Sequence, residues 1–262
     1  MIGTTSIGLA RDFLDALRKA PNLDIDFLEI TCEYPHCYPE TVDAQKRNEV
    51  KEFAARNSLL LTVHSTFSDI NLVHINPGLR HESIRQTEGC IRFAQDIGAS
   101  CVVIHPGEIP ATARSLSQDI LSNFGIEDVR GFFHVLSGNT LSAMKKDIAL
   151  CVENMPEPYE LCRTPEEHLS VVKDLSACFD VGHANIAYDA IVHAQKLKEK
   201  IFYVHIHDNH GVWDEHLSLG DGVAPWQEVI EILGERRYCF ESQPFNEASA
   251  KKSISVLRQL TS

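Results

Sequence analysis

Six short apolar runs in this chain each end at a residue whose side chain can bind a metal ion. They read LLLTVHS, CVVIHPG, IALCVEN, SACFDVGH, FYVHIHD and YCFES, and the stretches between them have helical period. Such alternation is typical of parallel strands linked by helices. With IGTTSI and IDFLEIT nearer the N-terminus there are eight strand–helix units in 262 residues, which favours an α/β (βα)8 TIM barrel. We predict one domain, residues 1–262; the alternative is an open doubly wound sheet.

The element boundaries follow from the same patterns. The strands are predicted near 2–7, 25–31, 59–64, 101–105, 148–153, 176–181, 201–206 and 237–241. The helices are predicted at 10–20, 41–57, 80–97, about 113–122 with 139–146, 165–174, 186–199, 225–234 and 247–260. Thr164 and Pro165, with Glu167 in the capping-box position, mark one helix start, and Gly98 marks a helix end.

Composition points to an ordinary globular protein. The hydrophobic fraction is 44%, the charged fraction is 23%, and no apolar run approaches the roughly 20 residues that span a bilayer. We therefore expect a soluble cytoplasmic protein with no membrane partner. The eight cysteines form no CxxC pair, and four of them, Cys101, Cys151, Cys178 and Cys239, fall within predicted strands. We expect buried, reduced thiols.

The net charge of -13 would ordinarily disfavour a polyanionic partner such as nucleic acid. Bound metal changes this expectation, because six positive charges from three divalent ions would bring -13 to -7. Net charge therefore does not exclude DNA.

The stretch from Phe202 to Gly222 has the highest density of metal-binding side chains. It contains His205, His207, Asp208, His210, Asp214 and His216. Imidazole nitrogens and carboxylate oxygens are suitable ligands for zinc. Because the C-terminal ends of barrel strands face one pocket, we expect these residues to meet those that end the other strands. Several carboxylates buried together without cations would require large pKa shifts.

The motifs VHSTFSDINL, IHPGE, VENMP, FDVGHANIA, HIHD, DEHLSLGDG and FES resemble those of the endonuclease IV (AP endonuclease family 2) group of the xylose isomerase-like TIM barrels. They are spread over about two-thirds of the chain. The resemblance implies up to three divalent ions, Zn²⁺ or alternatively Mn²⁺. The implied ligands are His64, His105 and Glu153 for one ion, Glu153, Asp180, His205 and Glu241 for a second, and His183, Asp214 and His216 for a third.

This resemblance also implies a reaction. The expected activity is cleavage of damaged DNA 5′ to abasic sites through a metal-activated water, with Glu153 and Glu241 as catalytic residues. We assign Phe67 and His207 to substrate binding. Phe67 falls where the family carries an aromatic residue that enters DNA, and His207 falls where the endonucleases usually carry Asn. The first strand, IGTTS, lacks the family's His, and the second lacks its basic, aromatic DNA-contact loop.

A sugar isomerase or epimerase is the alternative. Such enzymes on this barrel use one ion held by two Glu, one Asp and one His, and Glu153, Asp180, His205 and Glu241 supply that set. The two glutamates would then transfer a proton on a small sugar or sugar phosphate. We favour the hydrolase because the remaining ligands are superfluous for an isomerase; a non-catalytic binding protein is a third interpretation. The other histidines are predicted to be surface or structural residues: His36, His74, His81, His134, His168 and His193.

Overall fold

A computed structural model of the protein describes residues 1–115, 118–123 and 126–261. Within this part of the chain, eight parallel strands form a closed barrel in sequence order, and pairing of the last strand with the first closes it. The strands are β1 (Ile2–Thr5), β2 (Phe27–Thr31), β3 (Leu60–His64), β4 (Cys101–Ile104), β5 (Ala149–Glu153), β6 (Ser176–Asp180), β7 (Ile201–Ile206) and β8 (Arg237–Phe240). The predicted TIM barrel is confirmed.

Helices follow the strands and cover the outside of the barrel. They are α1 (Ser6–Leu9), α2 (Phe13–Lys19), α3 (Ala44–Arg56), α4 (Pro77–Ile97), α5 (Ala111–Ser115), α6 (Gln118–Asn123), α7 (Val129–Met144), α8 (Pro165–Val172), α9 (Val181–Ala187), α10 (Ala190–Leu197), α11 (Trp226–Leu233) and α12 (Glu247–Thr261). The main hydrophobic core lies between these helices and the outward faces of the strands.

Two local boundary predictions are confirmed. The hydroxyl of Thr164 accepts a hydrogen bond from the backbone N–H of Glu167, and Pro165 is the first residue of α8. Gly98 ends α4 with φ 74°, a left-handed conformation that glycine adopts without steric penalty.

Other boundaries differ for identifiable reasons. The first strand was predicted to reach residue 7 but ends at Thr5, because Ser6 starts α1 and its hydroxyl accepts from the N–H of Thr31. The helix predicted at 186–199 is two helices, since Tyr188 is extended and Asp189 caps α10 through the N–H of Val192. The helical segments predicted at 113–122 and 139–146 correspond to α5, α6 and α7, and α7 begins ten residues earlier than predicted. Residues 116 and 117 of the first segment lie outside the described part of the chain.

The interior of the barrel below its C-terminal rim is mostly apolar. Its fully buried side chains include Phe27, Cys101, Cys151, Cys178, Tyr203 and Cys239. The hydroxyls of Thr62 and Tyr203 hydrogen bond to each other at 2.9 Å, so this layer leaves neither of them unpaired. All eight cysteines are buried free thiols, as expected. Among the described helices, none has the length and apolar character needed to cross a bilayer.

Candidate metal centre

Each strand from β3 to β8 delivers a candidate ligand to the C-terminal rim. His64, Glu153 and Asp180 are the last residues of β3, β5 and β6, His205 is the last but one of β7, and His105 and Glu241 directly follow β4 and β8. Because all strands run in parallel, these ends lie at one rim of the barrel. Residues separated by up to 177 positions in sequence, from His64 to Glu241, therefore become neighbours.

Glu153 lies at the centre of the group. One carboxylate oxygen, Oε2, is 3.2 Å from Nε2 of His64 and 3.3 Å from Nε2 of His105. The other, Oε1, is 2.9 Å from Nδ1 of His205 and 3.5 Å from Nδ1 of His183. The side chain is 1% exposed. Its two oxygens thus face different sets of histidines, which is the arrangement that a carboxylate shared between two ions requires.

His205 lies between acidic residues above and below it. Its Nδ1 is 3.6 Å from Oε2 of Glu241 and 4.0 Å from Oδ2 of Asp180, in addition to the Glu153 contact. Its Nε2 lies 3.2 Å from both carboxylate oxygens of Glu29, a fully buried residue in the middle of β2. A buried carboxylate on the far nitrogen orients a metal-binding imidazole and increases its basicity. Sequence reasoning missed Glu29; its signal was an acid in the otherwise apolar run FLEIT.

A second part of the site is built by α9 and the loop after β7. The carboxylate of Asp180 caps α9 by accepting from the backbone N–H of His183 at 2.6 Å, and the carbonyl of Asn154 orients the His183 ring through its Nδ1 at 2.9 Å. Nε2 of His183 is 3.3 Å from Oδ2 of Asp214, and Nε2 of His216 is 2.8 Å from the same oxygen. The ring of His207 stacks on that of His216, with centroids 4.1 Å apart.

The loop after β7 is held rigidly where it carries these ligands. The carboxylate of Asp208 accepts from the backbone N–H groups of Asn209, Gly220 and Ala224. The backbones of Asp208 and Leu217 also exchange two hydrogen bonds. His216 adopts a left-handed conformation with φ 49°, which is strained for a non-glycine residue. Asp208 is therefore a structural residue beneath the ligands.

Electrostatics link the histidines and carboxylates of the rim. Burial opposes ionisation of Glu153, but His205, His105 and His64 outweigh it and hold its pKa well below the usual range. Burial also disfavours the protonated form of His64, yet its hydrogen bond to Glu153 and the charge of that carboxylate raise its pKa to about 9. Burial also lowers the pKa of His216, but its hydrogen bond to Asp214 and the charge of that carboxylate outweigh burial and raise the pKa to about 9. These carboxylates require nearby positive charge, from protons or from metal ions.

Unpaired buried atoms at the rim are consistent with a site that holds divalent ions. Four buried polar atoms at the rim have no hydrogen-bond partner among the described residues: Oδ2 of Asp180, Nε2 of His207, Oδ1 of Asp214 and Nδ1 of His216. An unpaired buried polar atom is costly unless a ligand satisfies it. Ligand atoms of His64, His105 and Glu153 lie within 4.8 Å of one another, and so do those of His183, His207, Asp214 and His216. Mixed imidazole and carboxylate donors match zinc.

A cavity of about 260 Å³ opens above the ligands. Phe67 stands at its mouth, 37% exposed, with its ring stacked on His105 at 5.1 Å. The carboxylate of Glu33 holds this loop by accepting from the N–H groups of Phe67 and Ser68 and from the Thr66 hydroxyl. None of the described residues that line the cavity is Lys or Arg.

The predicted site residues therefore meet at one rim, with one unexpected position. All nine predicted ligands are in the group just described, and Glu153 and Glu241 line the cavity. Phe67 is at the mouth, where a substrate can reach it. His207 was predicted to contact substrate, but it is fully buried among the ligands and is absent from the described lining. His36, His134, His168 and His193 are buried, and His74 lines a neighbouring groove.

Comparisons with known proteins agree with this architecture. The uncharacterized protein MJ1311 of Methanocaldococcus jannaschii is 30% identical to the chain, in an alignment that covers 96% of this chain and 85% of MJ1311. A crystal structure of a D-tagatose 3-epimerase-like protein is 28% identical, with a TM-score of 0.82 over 99% of this chain and 96% of that one. Endonuclease IV from Thermus thermophilus is 19% identical, with a TM-score of 0.71 over 99% and 98%.

The third of these likenesses shows the fold alone, whereas a family model covers nearly the whole chain. The model described as xylose isomerase-like TIM barrel matches residues 17–260. Seven of the eight barrel strands and all the candidate ligands at the C-terminal rim fall within that match. The chain belongs to the xylose isomerase-like TIM barrel family.

Proposed function

We propose that this protein is a metal-dependent phosphodiesterase of the endonuclease IV type, which cleaves DNA 5′ to abasic sites. The observation that carries the proposal is the position of Glu153 between two sets of histidines, within 3.3 Å of His64 and His105 on one side and 2.9 Å of His205 on the other. A single-ion enzyme would use only one of these two sets of histidines. Bound divalent ions would supply Lewis-acid chemistry, making a water more acidic and neutralising charge on phosphate oxygens.

The residues themselves perform the positioning. His64 and His105 with Glu153 would hold one ion, and Glu153, Asp180, His205 and Glu241 a second. Glu241 lines the cavity and is 14% exposed, so its carboxylate is available to orient a water that enters from the mouth. Glu153 also lines the cavity but is only 1% exposed, so in this candidate its role is to hold ions. Phe67 supplies a planar face at the entrance, on which a base can stack.

A sugar epimerase is the second candidate, and the charge of the cavity favours it. Lys and Arg are absent from its described lining, which instead includes the carboxylates of Glu157 and Glu160. Affinity for DNA rests largely on neutralising phosphates, whereas a neutral sugar needs no such charge. The 28% identity to a D-tagatose 3-epimerase-like protein supports the same candidate. In that case Glu153 and Glu241 would transfer the proton, and zinc or manganese would polarise the carbonyl.

One assay separates the two candidates. Metal-loaded protein is incubated with an abasic duplex and, in parallel, with a panel of ketoses, and we expect DNA nicking without ketose turnover. The matched variant is His105→Asn, because His105 lies outside the four-residue set that an epimerase needs. We expect nicking to fall by about 10²-fold or more with loss of this ligand. Ketose turnover that survives in the variant, with no nicking by either protein, would overturn the proposal in favour of the epimerase.

A further inference from the structure

His207 is positioned as a ligand rather than as a substrate contact. We propose that His207 completes a closed, four-ligand cation site with His183, Asp214 and His216, and that the ion held there is structural and does not touch substrate. Four protein ligands around zinc are characteristic of structural sites, whereas catalytic sites keep an open position. The inference does not rest on the proposed reaction, since it concerns metal binding alone.

The orientation of the His207 ring supports this role. The side chain is 0% exposed, and its Nε2 forms no hydrogen bond of good geometry with a described residue, although Oδ1 of Asp180 lies 3.2 Å away. Its Nδ1 faces the backbone carbonyl of Asp208 at 3.5 Å, which leaves Nε2 as the nitrogen with the free lone pair. His183 is arranged in the same way, with Nδ1 2.9 Å from the carbonyl of Asn154 and Nε2 directed at Asp214. A backbone carbonyl on the far nitrogen is the usual orienting contact of a metal-binding histidine.

The spacing of the four side chains fits one ion. Four ligands at about 2.0–2.1 Å from a tetrahedral zinc lie about 3.3 Å from one another. Oδ2 of Asp214 is 3.3 Å from Nε2 of His183 and 2.8 Å from Nε2 of His216, and Oδ1 of Asp214 is 3.5 Å from Nε2 of His207. All four ligand atoms fall within 4.8 Å of one another, so small side-chain rotations close the site.

The backbone of α9 makes room for this ring. A Cβ atom at Gly182 would overlap Cε1 and Nε2 of the His207 imidazole. Any larger residue would displace the ring from its position beside His183. The glycine is therefore part of the site, although it contributes no ligand atom.

A closed site would give the rim one structural ion, separate from the residues that perform the chemistry. Three of the four side chains belong to the loop after β7, which begins at His207 and carries Asp214 and His216. The fourth, His183, belongs to α9, so one ion would connect the loop to the helix. His183, Asp214 and His216 line the same cavity as the group around Glu153. Chemistry would fall to the Glu153 group because an ion with four protein ligands keeps no open position for substrate. The competing arrangement is an ion pair, because Nε2 of His207 is also 3.2 Å from Oδ1 of Asp180.

Cobalt titration tests the proposal, since tetrahedral Co²⁺ absorbs visible light far more strongly than six-coordinate Co²⁺. Metal-free wild type and His207→Asn are titrated with Co²⁺, and zinc affinities are measured by competition with a chromophoric chelator. We expect the variant to lose the tetrahedral absorption of one equivalent of Co²⁺. Its affinity for that equivalent should fall by more than the roughly 10–100-fold that loss of an orienting partner causes, because a ligand itself is removed. Gly182→Ala should produce the same loss with every ligand retained.

The control is His210→Asn, because His210 is exposed on the same loop and pairs with Glu215 at 2.9 Å. It should titrate like wild type. A folded His207→Asn variant with unchanged stoichiometry, affinity and spectrum would overturn the proposal and leave His207 as the partner of Asp180. Should that variant not fold, anomalous diffraction from zinc-loaded wild-type crystals decides: an ion farther than about 2.3 Å from Nε2 of His207 rejects the site.

Discussion

Two groups of buried histidines in this protein, one at the rim and one outside the barrel, behave in opposite ways. At the rim, burial alone would keep His64 neutral, but Glu153 raises its pKa to about 9. Outside the barrel, burial outweighs the more distant carboxylates and lowers the pKa of His168 to about 4 and that of His193 to about 2. His168 Nε2 pairs instead with the carbonyl of Val152 at 2.8 Å. In this protein, carboxylates around a buried histidine distinguish the candidate metal centre from the structural pair.

The two regions are separated by a single step along β5. Val152 and Glu153 are consecutive, and the side chains of successive residues in a strand point to opposite faces of the sheet. The carbonyl of Val152 serves the structural pair outside the barrel, while the side chain of Glu153 enters the site. Three substitutions test this difference between the regions: one at the central carboxylate Glu153, one at the orienting carboxylate Glu29 and one at His193 of the structural pair.

The largest effect is expected from Glu153→Gln. The substitution keeps the volume of the side chain but removes the charge that faces His64, His105 and His205. We expect the rate of the metal-dependent reaction to fall by about 10³-fold or more, which corresponds to several kcal/mol of lost stabilisation. Elemental analysis should give fewer ions per chain than the wild type. Full activity and full metal content in the variant would show that the histidines do not depend on this carboxylate.

A smaller effect is expected from Glu29→Gln. Glu29 lies against the far nitrogen of His205, at 3.2 Å from each oxygen, so it acts by positioning that ring. We expect metal affinity to fall by about 10–100-fold, with the number of ions per chain unchanged at saturating metal. Chelator competition measures the affinity. An affinity equal to that of wild type would mean that packing alone orients His205.

The smallest effect concerns stability and pH at the structural pair. The folded pKa of His193 is lowered below that of the unfolded chain, so the unfolded state binds more protons as pH falls below about 6.5, and acid destabilises the fold in that window. In His193→Phe this contribution is absent. Between pH 7 and pH 5 the variant should lose about 2 kcal/mol less unfolding free energy than wild type. Urea unfolding of both metal-free proteins at each pH measures the difference, and equal losses would contradict it.

Much of the fold and of the rim could be predicted because its signals are local. A strand that ends in His, Glu or Asp is visible in a few residues, and the parallel barrel places every such end at one rim. The helix predicted at 186–199 failed because a break at Tyr188 and Asp189 does not interrupt its helical period. Glu29 was missed because it lies inside a strand and not at its end, and its partner, His205, is 176 residues away.

By itself, the sequence determined which side chains the strands carry to the C-terminal rim, because strand ends and turn chemistry are encoded over a few neighbouring residues. Only the tertiary structure decided how those side chains are shared. It placed Glu153 between two sets of histidines, Glu29 beneath His205, and His207 inside the candidate ligand group and away from the cavity lining. These relationships depend on the register and closure of the barrel, which bring together residues that are distant in the chain and have no local pattern in common.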